Sequence, residues 1–127
     1  MLRKVISPTK KQSDGAKAER LAEQFLVQQG YQVIDRNVHC RAGELDLIMR
    51  SPCRQSIVFI EVRYRASKAR GSASETITRQ KFQRCLKSAE FWLMKHNLQQ
   101  SQYQIDVIAI DGELSQSNIH WLQAVQV

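Results

Sequence analysis

Two apolar runs constrain this chain most: Glu44–Met49 (ELDLIM) and Ile57–Tyr64 (IVFIEVRY), separated by a polar loop centred between Cys53 and Arg54. Each run has a strand's composition, and each is interrupted by one acid, Asp46 in the first and Glu61 in the second. If the runs pair as an antiparallel hairpin, the register that sets Arg50 against Ile57 also sets Asp46 against Glu61. Directly opposed residues have Cβ atoms about 4.5–5.5 Å apart. Two carboxylates that close repel unless a cation or a proton lies between them. The hairpin therefore reads as the holder of a metal ion. Period two places Ile57, Phe59, Glu61 and Arg63 on one face of the second strand, and Val58, Ile60, Val62 and Tyr64 on the other. Both faces are apolar over most of their length, so this strand should be central and covered on both sides. Burial there makes Glu61 costly unless it is paired or bound to a cation.

The flanking sequence supplies the rest of a layered fold. Residues 1–12 read as a flexible basic arm carrying Arg3, Lys4, Lys10 and Lys11, and residues 13–127 as a single domain. Ser13 or Asp14 can cap a helix running to about Gln29, with Gly30 as its stop. Ala18, Leu21, Ala22, Phe25 and Leu26 recur at helical spacing and form its buried stripe. Glu19 lies at the edge of that stripe and Glu23 farther round, where solvent is expected. Tyr31–Asp35 reads as a short strand, Arg36–Ala42 as a polar loop, and Ala66–Ser74 as a mobile loop. Thr78 can cap a second long helix to about His96, with Phe82, Cys85, Leu86, Ala89 and Leu93 as its stripe. Tyr103–Ile110 is a buried-type strand, and Ile119–Val125 a final one. The order α-β-β-β-α-β-β implies an α/β (α+β) architecture, a mixed central sheet flanked by helices.

Charge points to the partner. The net charge is +7 and the pI about 9.7, favouring an anionic partner, nucleic acid ahead of membrane lipid. From Arg63 to Lys87 there are eight Lys or Arg and one acid, Glu75, so the positive field follows directly after the acidic hairpin. Three cysteines without CxxC spacing fit a reducing cytoplasm, and no apolar run reaches the roughly 18 residues of a membrane span. Cytoplasmic location and no membrane partner are the expectations.

Asp46 and Glu61, with Glu19 approaching from the first helix and Arg63 two places after Glu61, make a set suited to Mg²⁺ (or Mn²⁺). Mg²⁺ takes oxygen ligands and commonly uses one or two carboxylates plus water and substrate phosphate. A basic segment beside it would hold a phosphate backbone, with Arg65, Lys68, Arg70, Arg79 and Lys81 as candidate contacts. Those roles together describe metal-assisted phosphodiester hydrolysis. Phosphate-loop, dinucleotide and GxSxG motifs are absent, and His39, His96 and His120 are scattered.

These residues also carry a resemblance. Asp46, Glu61 and Arg63, preceded by a helix bearing Glu19, resemble the PD-(D/E)XK nuclease superfamily. More specifically, AERLA (18–22), GYQVIDRN (30–37), GELDLI (43–48), VFIEVRYR (58–65), TITRQK (76–81) and IDVIAI (105–110) resemble the YraN-like family of uncharacterised bacterial proteins. The resemblance implies a restriction-endonuclease-like αβββαβ core similar to archaeal Holliday-junction resolvases. It implies Glu19, Asp46 and Glu61 as metal ligands, and Asp46, Glu61 and Arg63 as the catalytic set. The superfamily's lysine falls on Arg63. Arginine stays protonated and cannot serve as a base, though it can stabilise developing charge. The expectation is a metal-dependent DNA endonuclease, with branched or recombination intermediates as candidate substrates. The alternative is a nucleic-acid-binding accessory protein that keeps the nuclease fold without efficient cleavage. A homodimer and DNA-processing protein partners are further expectations of this kinship.

Overall fold

The computed structural model describes residues 13–67, 69 and 71–126. The arm read over residues 1–12 lies outside them. Helix α1 (Asp14–Gln28) starts where Ser13 Oγ accepts the Ala16 N–H at 3.1 Å. It stops before Gly30, whose φ of +95° lets the chain turn back against Pro52. Strands β1 (Gln32–Cys40), β2 (Gly43–Arg50) and β3 (Ser56–Arg65) follow. Helix α2 (Arg79–Lys95) is capped by the Thr78 hydroxyl, which accepts the Lys81 N–H, and leads to β4 (Gln102–Asp111) and β5 (Ile119–Leu122). Two short 3₁₀ turns, Ser74–Thr76 and Gln116–Asn118, complete the order.

The five strands lie in sequence order, β1-β2-β3-β4-β5. Only β3 and β4 run parallel, and α2 is the crossover that a parallel neighbour requires. This is the mixed sheet and αβββαβ order read from the sequence. Alternation along β3 divides the core. Ile57 and Phe59 pack under Phe82, Cys85, Ala89, Trp92 and Leu93 of α2. Val58 and Ile60 pack under Ala18, Ala22 and Leu26 of α1. The strand is covered on both sides, as its composition demanded. Among the described residues, no helix is long and apolar enough to cross a membrane.

Three local expectations are corrected. Residues 36–40, read as loop, continue β1 and pair with Gly43–Leu47 of β2. As the edge strand, β1 needs no second apolar face, so its polar side chains hid its strand character. Glu23 is not simply solvated: its carboxylate accepts from Arg36 Nε at 2.6 Å and Nη2 at 2.8 Å. The end of the Ala66–Ser74 stretch is anchored rather than loose. Ala73 is fully buried, and its N–H donates to Asp111 Oδ1 at 2.7 Å.

One buried acid is structural. Asp106 on β4 is completely buried, and its two oxygens accept hydrogen bonds from Gln104 Nε2 at 2.8 Å, Trp121 Nε1 at 2.9 Å and the Ala124 N–H at 2.9 Å. It ties β5 and the residues after it to the centre of the sheet. Asp106→Asn, which replaces an acceptor with a donor among three donors, is expected to cost about 2 kcal/mol in urea unfolding.

Candidate active site

The hairpin register is the one the sequence implied: Leu47 pairs with Ile60, Ile48 with Phe59, Met49 with Val58 and Arg50 with Ile57. The ladder ends at Leu47 and Ile60, one step short of Asp46 and Glu61. Asp46 is therefore not a paired ladder residue opposite Glu61. Its Oδ2 instead accepts the Val62 N–H at 2.8 Å, taking the place of a strand carbonyl. The alternation of β2 also breaks here: Leu45 belongs to the α2-side cluster and Leu47, two residues on, to the α1-side cluster. On the partner strand Asn37, between Arg36 (paired with Leu47) and Val38 (paired with Leu45), takes a left-handed φ of +48°, while the register shift of β1 lies further back, between Val33 and Asp35. The end of the β2–β3 ladder opens the sheet around Asp46.

The opening is a cleft of about 410 Å³ bordered by Glu19, Asp46, Glu61, Arg63, Lys81 and Arg84. The Glu61 side chain is only 12% exposed. Arg63 Nη1 donates to Glu61 Oε2 at 3.2 Å, and Arg63 Nε donates to Thr76 Oγ1 at 2.7 Å. Thr76 in turn donates to the Ala73 carbonyl at 2.6 Å. The guanidinium is thereby held by two elements, β3 and the turn before α2.

Electrostatics record the crowding of acids. Burial, and then the charge of Asp46, push the Glu61 carboxyl up to about 7, against the opposing pull of Arg63 and Lys81. Burial raises Asp46 too, and the Val62 N–H offsets this in part. Glu19 is raised by burial and then by Asp46 and Glu44. Burial followed by the charges of Glu61 and Asp46 pushes the Cys85 thiol, 4.0 Å from Glu61 Oε1, up to about 12. Such a shift disfavours the thiolate, the form in which a cysteine is nucleophilic.

The donor set is all oxygen, which suits a hard divalent cation rather than a soft one. Two adjacent carboxylates with raised proton affinity are short of positive charge, and a cation would supply it. Among the described residues, no three His, Cys, Asp or Glu side chains form a ready-made metal cage. Glu19 borders the cleft without closing such a group around Asp46 and Glu61.

Of the residues singled out from sequence, Glu19, Asp46, Glu61, Arg63 and Lys81 come together. Arg65, at the end of β3, and Arg79, exposed at the start of α2, do not line the cleft. Lys68 and Arg70 lie outside the described residues. Sequence reasoning missed Arg84, Cys85 and Thr76. The first two share a helical face with Lys81 at spacings of three and four, a signal that was present. Thr76 sits in a 3₁₀ turn, where no periodicity marks it.

Comparison with known proteins adds the kinship. A family model described as uncharacterised protein family UPF0102 matches residues 18–110. A UPF0102 protein of Marinomonas sp. (strain MWYL1) is 38% identical over 113 residues, covering 89% of this chain and 87% of its own. One from Nitrosococcus oceani is 39% identical over 119 residues, covering 93% of this chain and 94% of its own. One from Pelobacter propionicus is 41% identical over 96 residues, covering 76% of this chain and 69% of its own.

Proposed function

The chain belongs to the uncharacterised family UPF0102, the YraN-like group its motifs resemble, and on that footing we propose that it is a Mg²⁺-dependent DNA endonuclease. The observation that carries this reading is the junction of Asp46 and Glu61 at a break in the sheet, facing Arg63, Lys81 and Arg84 across one cleft. A protein built only to bind DNA would gain affinity by losing those carboxylates, which repel phosphate.

Asp46 and Glu61 would hold the ion, with water and a substrate phosphate completing its shell and Glu19 as an outer acid. When bound, such an ion polarises a phosphoryl oxygen and lowers the pKa of a bound water. Arg63 remains charged and, fixed by Glu61 and Thr76, orients the phosphate and stabilises the charge that develops on it. Lys81 and Arg84 add cations from the first turns of α2. Lys81, lining the same cleft, takes up part of the role a lysine at position 63 would have. The cations that line the cleft would hold the backbone.

Thr76→Val is expected to lower kcat on the order of tenfold, because the Arg63 guanidinium loses one of its two anchors. KM should stay within a few-fold and the melting temperature nearly unchanged. A loss confined to stability would remove Thr76 from this role.

A second reading is favoured by Arg63 itself. A permanently charged residue where the superfamily places lysine suits a protein that binds DNA without cutting it. Wild-type protein incubated with linear duplex, single-stranded and four-way-junction DNA, in Mg²⁺, Mn²⁺ or EDTA, separates the two. Metal-dependent cleavage of any of them supports the enzyme. Tight binding with no cleavage of any of them supports the binding protein.

A further inference from the structure

A second cleft, of about 470 Å³, opens on the other side of the same carboxylates. Glu19 and Asp46 border both clefts, so they form a shared wall. The second cleft is lined further by Arg20 and Glu23 of α1 and by Arg36 and Asn37 of β1. Asn37, which takes a left-handed φ of +48° beside Arg36, forms part of its lining. Arg36 is held at its rim by the two hydrogen bonds to Glu23, with its side chain still 56% exposed. The result is two adjoining clefts that meet at Glu19 and Asp46, the first carrying Arg63, Lys81 and Arg84 with Glu44 and Glu61, the second carrying Arg20 and Arg36 with Glu23.

We propose that the second cleft is a subsite for the phosphodiester backbone of the same DNA strand, with Arg20 and Arg36 contacting phosphate beyond the carboxylates. The inference rests on the nuclease reading and extends it. A polymer cut at an internal bond must leave the site on both sides. A single closed cleft admits only chain ends, whereas a second cleft on the far side of Glu19 and Asp46 gives a strand without ends a path onward. Arginine suits the task, since its planar fork bonds phosphate oxygens in pairs. Glu23 presents the same kind of paired oxygens to Arg36 and holds the guanidinium in place until phosphate displaces it.

The test uses the full chain in a Glu61→Gln background, which leaves every residue of the second cleft in place, with Mg²⁺ present. Fluorescence anisotropy of labelled single-stranded DNA is followed through a NaCl series. Arg20→Ala and Arg36→Ala should each weaken binding and lower the slope of log Kd against log salt by about 0.7. Glu23→Gln should tighten binding, because it releases Arg36 and removes a negative charge from the cleft. Unlabelled closed-circular single strands should compete as well as linear ones. If Arg36 and Glu23 are only a strut, both variants lower the melting temperature while Kd and slope stay put, and the subsite is overturned. Competition by linear strands alone also overturns it, as does a complete lack of DNA binding. Failure of the nuclease reading looks different: wild-type protein cuts nothing, yet the Arg20 and Arg36 variants still lose affinity, and the subsite stands as part of a binding surface.

Discussion

Asp46→Asn and Glu61→Gln are each expected to reduce metal-dependent DNA cleavage by about a thousandfold or more, equivalent to roughly 4 kcal/mol of transition-state stabilisation. Each variant removes one of the two carboxylates that share the break in the sheet. Neither changes the shape of the cleft, because each amide is nearly the size of the acid it replaces. The double variant should be little worse than either single one, since two ligands of one ion act as a unit. DNA binding in the absence of metal should be kept or tightened, because a charge that repels phosphate has gone. Cleavage retained in either variant would show that the pair does not hold the ion. Loss of binding together with cleavage would point to misfolding, which circular dichroism of the same samples distinguishes.

The same pair should govern stability against pH. Glu61 is raised from its ordinary 4.5 to about 7, by burial first and the Asp46 charge second. Between those values the folded protein holds a proton that the unfolded chain has released, so stability falls as pH rises. Glu61 carries no penalty below about pH 4.5, where both states are protonated, and the full penalty above pH 7. The difference corresponds to roughly 3 kcal/mol. Asp46 and Glu19 are raised as well and act in the same direction. Without metal, the melting temperature of wild-type protein should therefore drop between pH 5 and pH 8, and Glu61→Gln should flatten the profile and melt higher at pH 8. Adding Mg²⁺ at pH 8 should recover stability in the wild type, by about 2.7 kcal/mol at one hundred times its dissociation constant, and far less in Glu61→Gln. A flat wild-type profile would contradict the burial of Glu61 beside a second charge. Equal stabilisation of both proteins by Mg²⁺ would place the ion elsewhere.

Both results depend on a site that was partly legible in the chain. Asp46 and Glu61 stood out because each interrupts a run that would otherwise be apolar, and burial makes such an interruption expensive. The register was legible too, because a hairpin loop centred between Cys53 and Arg54 sets Arg50 against Ile57 and carries the pairing back to Leu47 and Ile60. The helices were clear from their caps, Ser13 and Thr78, and from their stripes. The polar half of β1 was not, because an edge strand satisfies its backbone from one side and asks nothing of its outer side chains.

Local pattern thus determined both helices, the apolar strands, their order and the identity of the two central acids, since each follows from periodicity and the cost of burying charge. The tertiary structure decided what surrounds them. The ladder stops one residue early, so Asp46 takes the Val62 N–H and the sheet opens into a cleft. The crossover brings Lys81 and Arg84 to that cleft from more than thirty positions beyond Asp46, and Thr76 to the Arg63 guanidinium. The packing of α1 on β1 and β2 adds a second cleft, lined by Arg20, Arg36 and Asn37, beyond the shared carboxylates. Contacts of this kind join residues far apart in the chain through the packing of whole elements, and no short stretch of sequence carries them.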